Sequence, residues 1–170
     1  MTPSPPLPTG LVADASVLID YLAAEVPGKE ALQLVVCYIA PVYVPGPVLE
    51  EVHGMTEAET GRLGITVHEP GFDEVTEAAA GEGGLSFQDR LCYIVARNQG
   101  WHCFSNDTAL RNACRRMGVS CMWGLEAMRY LVRDKHLTPA KADQAATRMV
   151  EVNPLLTRQL LRRFRKQIGR

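Results

Sequence analysis

Residues 10–20 read GLVADASVLID, and this stretch decides the fold. A short apolar run ends at Asp14, and Ser16 opens a second segment two residues later. The apolar positions of that second segment recur at helical spacing: Val17, Leu18, Tyr21 and Leu22. The pattern therefore predicts a buried strand that runs directly into a helix. Because ligands of open α/β sheets bind outside the carboxyl ends of the strands, Asp14 is the first candidate for a functional residue.

Beyond residue 20 the chain alternates short apolar strands with helical patterns. The further strands are predicted at residues 42–44, 65–68, 101–104 and 119–123. The helices between them are predicted at residues 29–38, 47–55, 57–63, 72–80, 86–100 and 110–117. This alternation with short links is typical of a mostly parallel sheet that is covered by helices on both faces.

The two ends of the chain depart from this pattern. Residues 1–9 are rich in proline and lack the basic and apolar regions of a signal peptide, so we expect a disordered tail. Residues 10–124 form the predicted α/β domain, and residues 125–170 form a helical C-terminal extension. Its last helix is predicted to begin at Pro154, because Asn153-Pro154 has the form of a helix start.

Composition and cysteine usage exclude several classes of protein. The 46% hydrophobic and 22% charged residues are typical of a globular domain. No apolar run approaches the ~18 residues that a membrane span needs. The five cysteines form no CxxC pair, which argues against a disulfide framework or a structural zinc site. We therefore expect a cytoplasmic protein that does not cross a membrane.

The net charge of −1 conceals an uneven distribution of charge. Six of the 18 basic residues follow Asn153, where no acid occurs, so 12 remain to face 19 acids and residues 1–153 carry a net −7. Cations cluster opposite the apolar stripe of the last predicted helix, at Arg158, Arg162, Arg165 and Lys166. Such a face can attract the backbone of a nucleic acid, whereas its ordinary interpretation is a solvated helix surface.

Acidic residues follow four of the predicted strands or open the next helix, at Asp14, Glu50/Glu51, Asp89 and Asp107. A parallel sheet brings such positions to one edge. Several carboxylates without a neighbouring Lys or Arg repel one another unless a cation joins them, and hard oxygen ligands suit Mg²⁺ or Mn²⁺. The chemistry that this arrangement favours is metal-assisted hydrolysis of a phosphodiester.

Most of these acids also have an ordinary structural explanation. Asp107 is placed to cap a helix, and Asp89 can close a capping box with Ser86. The glutamates at 50–51 can be solvated helix residues. Only Asp14, set in the apolar run LVADASVLI, has no such explanation in the sequence.

Four short motifs, in this order, resemble those of the PIN-domain nucleases. They are Asp14-Ala15-Ser16-Val17-Leu18-Ile19, Val48-Leu49-Glu50-Glu51-Val52, Leu85-Ser86-Phe87-Gln88-Asp89 with Ala96, and Ser105-Asn106-Asp107 with Leu110. In the second motif Glu51 matches better than Glu50, because the family's acid precedes an aliphatic residue. The resemblance covers residues 10–123 and is carried by the set of four motifs.

This resemblance implies a PIN-like, Rossmann-like fold and a ribonuclease that depends on Mg²⁺ or Mn²⁺. The positions that it implies as metal-binding, catalytic carboxylates are Asp14, Glu51, Asp89 and Asp107. It implies Ser16 and Ser105 as hydroxyls that support metal or phosphate, and Asn106 as a hydrogen-bond partner of a carboxylate.

Many small bacterial proteins with these motifs are toxins of VapBC-type toxin–antitoxin pairs, in which a partner protein covers and silences a ribonuclease. The resemblance therefore implies RNA as the substrate and an antitoxin as a partner. This chain is longer than those toxins by the helices after Leu125. Their apolar stripe can pack on the body of the protein or form the contact of a homodimer.

Three other functions fit parts of the same pattern. A nuclease of RNA processing would use the same four acids, whereas a catalytically silent PIN scaffold would bind RNA or protein without needing them. A phosphoacceptor receiver module shares the order of strands and helices. It needs an acidic pair at the first strand and a Lys after the last, and no Lys occurs between Lys29 and Lys135. No GxxxxGK or GxGxxG loop is present to cradle a phosphate.

Overall fold

The computed structural model describes residues 6–170, and a five-stranded sheet lies at its centre. All neighbouring strands are parallel, in the order β3-β2-β1-β4-β5. The strands are β1 (Leu11–Ala13), β2 (Val42–Pro45), β3 (Thr66–His68), β4 (His102–Phe104) and β5 (Cys121–Met122). Their carboxyl ends therefore lie along one side of the sheet, which we call the carboxyl edge.

Ten helices connect and follow these strands within the same residues. They are α1 (Ala15–Ala23), α2 (Glu25–Tyr38), α3 (Gly46–Leu49), α4 (Glu57–Leu63), α5 (Phe72–Ala80), α6 (Phe87–Gln99), α7 (Thr108–Arg116), α8 (Gly124–Arg133), α9 (Pro139–Val152) and α10 (Arg158–Gln167). The predicted architecture is confirmed: the protein is α/β, with a PIN-like, Rossmann-like parallel sheet flanked by helices and a helical C-terminal part.

The order of the strands explains how the helices are arranged. The chain moves from β1 outward to β3, then returns across the sheet to β4 on the other side of β1. Because crossovers between parallel strands are right-handed, this reversal places the two sets of helices on opposite faces. Accordingly α1, α2, α8 and α9 pack together, and α6 packs with α5 and α7. The gap between β1 and β4 is the topological switch point, where ligands bind in such sheets.

The C-terminal helices share one hydrophobic core with the sheet. Met128 of α8, Met149 of α9 and Phe164 of α10 are buried in the same cluster as the residues of β1. Both α8 and α9 pack on α2, and α10 packs on α8 and α9. The segment predicted as an extension at 125–170 is therefore helical and buries its apolar face against the α/β part.

Helix α2 begins at Glu25, earlier than the start predicted at residue 29. Pro27 lies in its first turn, where the missing N–H group is tolerated. Gly28 permits the close packing of α1 against α2, because a Cβ atom there would lie 1.9 Å from the carbonyl oxygen of Tyr21.

Helix α3 is a single turn and is shorter than the helix predicted at 47–55. The N–H of Glu51 donates to the carbonyl of Val48 at 3.1 Å, three residues back, so the chain tightens into turns instead of continuing as an α-helix. Gly54, with φ of +79°, adopts the left-handed conformation in the turn that follows. Glu50 and Glu51 therefore lie in the turns after α3, and their expected place in a first or second helical turn was wrong.

The last helix begins at Arg158, after the start predicted at Pro154. Thr157 is its N-cap, since its hydroxyl accepts the N–H of Leu160 at 3.2 Å. The Asn153 side chain instead accepts the N–H of Leu155 at 2.9 Å and forms a turn. The Asn-Pro signal thus marks a turn that precedes the helix.

The predicted tail at 1–9 lies partly outside the described residues, which begin at Pro6. Within the described part Pro8 is buried, and Pro6 and Pro8 line a small cavity beside β5 with Met122. Across residues 6–170, no helix has both the length and the apolar character that a membrane crossing requires.

Candidate functional site

The switch point between β1 and β4 holds Asp14, the most buried of the four predicted acids. Asp14 directly follows β1 and is only 2% exposed. Its backbone N–H donates to the carbonyl of Phe104, the last residue of β4, at 3.1 Å. Ser105 follows Phe104 and is fully buried. The fold therefore brings one acid and one hydroxyl from distant parts of the chain to the same place.

Hydrogen bonds hold the Asp14 carboxylate from several sides. Its Oδ1 accepts the backbone N–H of Val17 at 2.9 Å, which makes Asp14 the N-cap of α1. The hydroxyl of Ser16 lies 2.8 Å from both carboxylate oxygens. The hydroxyl of Ser105 donates to Oδ2. Asp14 thus has a structural role, helix capping, that the sequence did not reveal.

Burial raises the pKa of Asp14 to about 7, because the ionised form loses contact with water. Hydrogen bonds from Ser105, Val17 and Ser16 lower the pKa in part, and the negative charge of Asp89 raises it again. No basic side chain is among these main influences. The carboxyl group of Asp14 therefore titrates near neutral pH.

Asp89 and Glu51 belong to the same electrostatic environment. Asp89 closes a capping box at the start of α6: its N–H donates to the Ser86 hydroxyl at 3.0 Å, and the Ser86 N–H donates to its carboxylate at 3.4 Å. Glu51 is exposed, but the loss of part of its hydration, and then the charge of Asp89, raise its pKa. Asp89 therefore acts on both Asp14 and Glu51, and the three acids lie within electrostatic reach of one another.

Asp107 is linked to Asp14 through the hydroxyl of Ser105. The N–H of Asp107 donates to this hydroxyl at 2.9 Å, while the hydroxyl donates to Asp14. The Asp107 carboxylate accepts the N–H of Leu110 at 2.7 Å and so caps α7. On the other side, the Ser16 hydroxyl accepts the N–H of Asn106 at 3.2 Å. Both predicted hydroxyls therefore connect Asp14 to the segment after β4.

The carboxylates and hydroxyls around Asp14 are of the chemical type that binds a hard divalent cation. They are not, however, arranged as a complete metal-binding site. Within residues 6–170, no three His, Cys, Asp or Glu side chains converge as a metal-binding group. The groups that do meet are carboxylates and hydroxyls, which are the ligands that Mg²⁺ and Mn²⁺ prefer. A cation would also relieve the mutual repulsion that Asp89 exerts on Asp14 and Glu51. The chemical type of these ligands, though not a completed arrangement of them, therefore fits such an ion.

A second buried acid, Asp20, was missed in the sequence. It lies in α1, is 3% exposed, and its pKa is raised by burial. The amide of Asn106 donates to it at 2.7 Å, and the amide of Asn153 donates to both of its oxygens at 3.0 and 2.9 Å. The carbonyl oxygen of the Asn106 side chain accepts the N–H of Gly124 at 2.9 Å. Asp20 is therefore the carboxylate partner of Asn106, and its signal in the sequence is an acid inside the apolar run SVLIDYL.

The predicted basic face of the last helix contains three exposed cations, Arg158, Arg162 and Lys166. Arg165 was expected to face outward with them, but its guanidinium pairs with Asp143 of α9 at 2.6 Å and donates to Thr147 at 3.2 Å. Arg165 therefore fastens α10 to α9, and the outward position predicted for it was wrong.

The interpretation of the carboxyl edge depends on these contacts alone. The chain matches no model of a known protein family, and no curated protein matches its sequence.

Proposed function

We propose that this protein is an Mg²⁺- or Mn²⁺-dependent ribonuclease that hydrolyses RNA phosphodiester bonds at the carboxyl edge. The observation that carries the proposal is the environment of Asp14. Its carboxyl group is buried at the switch point, has a pKa of about 7, and interacts with a second acid, Asp89, without a basic partner among its main influences. Strongly shifted acids in such a position are typical of functional sites.

The proposed roles follow from the contacts of each side chain. The carboxylates that would hold the cation are Asp14, Glu51, Asp89 and Asp107. A bound divalent cation supplies an activated water and neutralises charge on the scissile phosphate. Ser16 and Ser105 orient the Asp14 carboxylate through their hydroxyls. Because a ligating carboxylate must be ionised, Asp14 would release its proton if it bound the ion near neutral pH.

The finer proposal is that the ribonuclease is the cytoplasmic toxin of a type II toxin–antitoxin pair. The four motifs from Asp14 to Leu110 support it. It predicts that induced expression arrests growth and that the Asp14→Asn variant does not. A nuclease of RNA processing would use the same acids without arresting growth.

A specific observation favours a second candidate, a catalytically silent PIN scaffold that binds RNA or protein. Asp14, Asp89 and Asp107 all accept hydrogen bonds at helix N-termini, so helix capping accounts for their presence without catalysis. The four acids also do not converge into a metal-binding group. Cleavage measurements separate this candidate from the ribonuclease.

The test measures cleavage of a fluorescent single-stranded RNA by the purified full-length protein, with Mg²⁺, with Mn²⁺ and with EDTA. We expect cleavage only with the metals and a loss of at least about 100-fold in Asp14→Asn, since even outer partners of metal ligands contribute 10–100-fold. Asn caps a helix as well as Asp does, so the fold should persist. The matched control is Asp73→Asn, an exposed acid of α5.

A second comparison tests which of the two neighbouring glutamates after α3 is the proposed ligand. Glu51→Gln should slow cleavage more than Glu50→Gln, because Asp89 acts on Glu51. A parent protein that cleaves with neither metal would support the scaffold instead. Equal cleavage by Asp14→Asn and Asp73→Asn, or cleavage that persists in EDTA, would refute the proposed metal-dependent site.

A further inference from the structure

A cleft of about 380 Å³ lies between α8 and α10, and none of the four acids lines it. The residues that line it include Trp123, Glu126, Arg129, Arg163, Phe164 and Gln167. Its size falls within the range of small-ligand sites, about 300–1,000 Å³. Neither the motifs nor the roles proposed above use this cleft.

Two guanidinium groups in the cleft have unused hydrogen-bond donors. Arg163 is exposed and makes no hydrogen bond or ion pair with any of the residues 6–170. Arg129 approaches Glu126 at 3.9 Å, too far for a hydrogen bond, and lies 4.9 Å from the ring centroid of Tyr130. A planar guanidinium fork matches the oxygens of a phosphate group. The cleft therefore offers two sites for phosphate oxygens.

Trp123 adds an aromatic wall that is held in place from outside the cleft. The guanidinium carbon of Arg111 lies 3.4 Å from the ring centroid of Trp123, a cation–π contact. The Nε of Arg111 is buried without a hydrogen-bond partner, and the guanidinium packs on the ring at this point. An aromatic side chain fixed in this way is a platform on which an unpaired base can stack.

The cleft adjoins the carboxyl edge where the four acids lie. Trp123 directly follows β5, and β5 pairs with β4, whose last residue, Phe104, precedes Ser105 beside Asp14. Arg111 lies one helical turn beyond Asp107 on α7, and its N–H donates to the Asp107 carbonyl. The acids repel a phosphate backbone, whereas the neighbouring cleft is lined by two arginines, Arg129 and Arg163, against one glutamate. The positive charge that lines the cleft is therefore able to attract such a backbone.

We propose that this cleft binds one nucleotide of single-stranded RNA, with the base against Trp123 and the phosphate between Arg129 and Arg163. The choice of RNA rests on the proposed ribonuclease function. A base joined to a phosphate matches the combination of ring and guanidinium groups better than an acidic peptide, which would leave the ring unused.

The test measures binding of a fluorescein-labelled RNA octamer by anisotropy, in EDTA and in the Asp14→Asn background so that the RNA stays intact. Arg163→Ala should weaken binding about tenfold, the loss expected for a charged hydrogen-bond donor. The matched control is Arg116→Ala, which removes an exposed arginine of α7 outside the cleft. It should change the affinity less than about twofold, as a screened distant charge does.

A second readout reports directly on the ring. The chain contains two tryptophans, so Trp101→Phe leaves Trp123 as the sole indole fluorophore. Saturating RNA should quench this fluorescence, and Arg163→Ala should shift the quenching to higher RNA concentrations by the same factor.

The outcomes distinguish failure of the proposed RNA-binding cleft from failure of the proposed ribonuclease function. RNA that quenches Trp123 and depends on Arg163, in a protein that never cleaves, would support the cleft while refuting the proposed function. Equal affinities of Arg163→Ala and Arg116→Ala, or unquenched Trp123 at saturation, would overturn the cleft even if cleavage occurs. Quenching by a poly-glutamate peptide, with RNA binding indifferent to Arg163, would overturn it in favour of an acidic protein partner.

Discussion

Two aspartates at the start of the fold, Asp14 and Asp20, are equally buried and differ in what surrounds them. Asp14 is 2% exposed and Asp20 is 3% exposed, and burial raises the pKa of both. Asp20 receives N–H donors from the side-chain amides of Asn106 and Asn153. Asp14 receives two hydroxyls and one backbone N–H, and a further acid acts on it.

The difference separates a structural acid from a candidate metal ligand. The NH₂ groups of Asn106 and Asn153 can only donate hydrogen bonds, so they suit a carboxylate that is held in one position. Asp20 thereby joins α1 to the residues that follow β4 and α9. The hydroxyls around Asp14 can rotate and offer oxygen lone pairs to a cation. Burial alone therefore does not distinguish the two acids; the type of donor and the neighbouring charge do.

The largest expected effect is on the pH dependence of stability. The pKa of Asp14 is about 7 in the folded protein against 3.8 for an ordinary aspartate, so the folded state binds more protons between these values. Its free energy of unfolding should therefore fall as pH rises from about 4 to 7, by up to ~4 kcal/mol at 1.36 kcal/mol per unit. In EDTA, Asp14→Asn should lack this fall and be the more stable protein at pH 8. Urea unfolding of both proteins at several pH values measures it, and parallel curves would show that Asp14 ionises normally.

The next largest effect concerns Asp20, the acid that is held by two asparagine amides. Asp20→Ala should lower the free energy of unfolding by about 2–4 kcal/mol, because it leaves the donors of Asn106 and Asn153 buried without an acceptor. Asp20→Asn keeps one acceptor oxygen and should lose less. The folded fraction of either variant should cleave RNA within a few-fold of the parent rate. A loss of cleavage in folded Asp20→Asn as large as that in Asp14→Asn would mean that the two acids do not have separate roles.

The smallest effect separates capping from charge at Asp107. Asp107→Asn should change stability by less than about 0.5 kcal/mol, since Asn is an equally good N-cap, whereas Asp107→Ala should cost about 1 kcal/mol. If Asp107 also helps to hold a cation, both variants should slow cleavage similarly despite their different stabilities. Thermal melts and cleavage rates on the same samples provide the comparison, and cleavage that follows stability alone would assign Asp107 to capping.

The sequence allowed Asp14 to be located because local patterns decide its position. An apolar run that ends at an acid before a helical pattern predicts a strand end, and the alternation of elements predicts the parallel sheet. The signals for Asp89 and Asp107 were also local, and both interpretations of these acids, as caps and as candidate ligands, remain compatible with their contacts.

Contacts between distant segments could not be predicted in the same way. Asn153 meets Asp20 across 133 positions, and nothing near Asn153 in the chain announces a buried acid. Arg165 pairs with Asp143 on another helix, which a helical pattern for α10 alone cannot show. The cleft with Trp123 depends on how α10 packs against α8. Such features require the tertiary packing of helices whose order in the chain leaves their relative positions open.

Binding of Mn²⁺ measured by calorimetry near neutral pH tests the distinction between the two aspartates most directly. The parent protein and Asp20→Asn should both bind the ion and release a proton on binding, whereas Asp14→Asn should bind at least about tenfold more weakly, a loss of 1.4 kcal/mol or more. A parent protein that binds no Mn²⁺, or an Asp14→Asn variant that binds it as tightly as the parent, would contradict the assignment of Asp14 as a metal ligand.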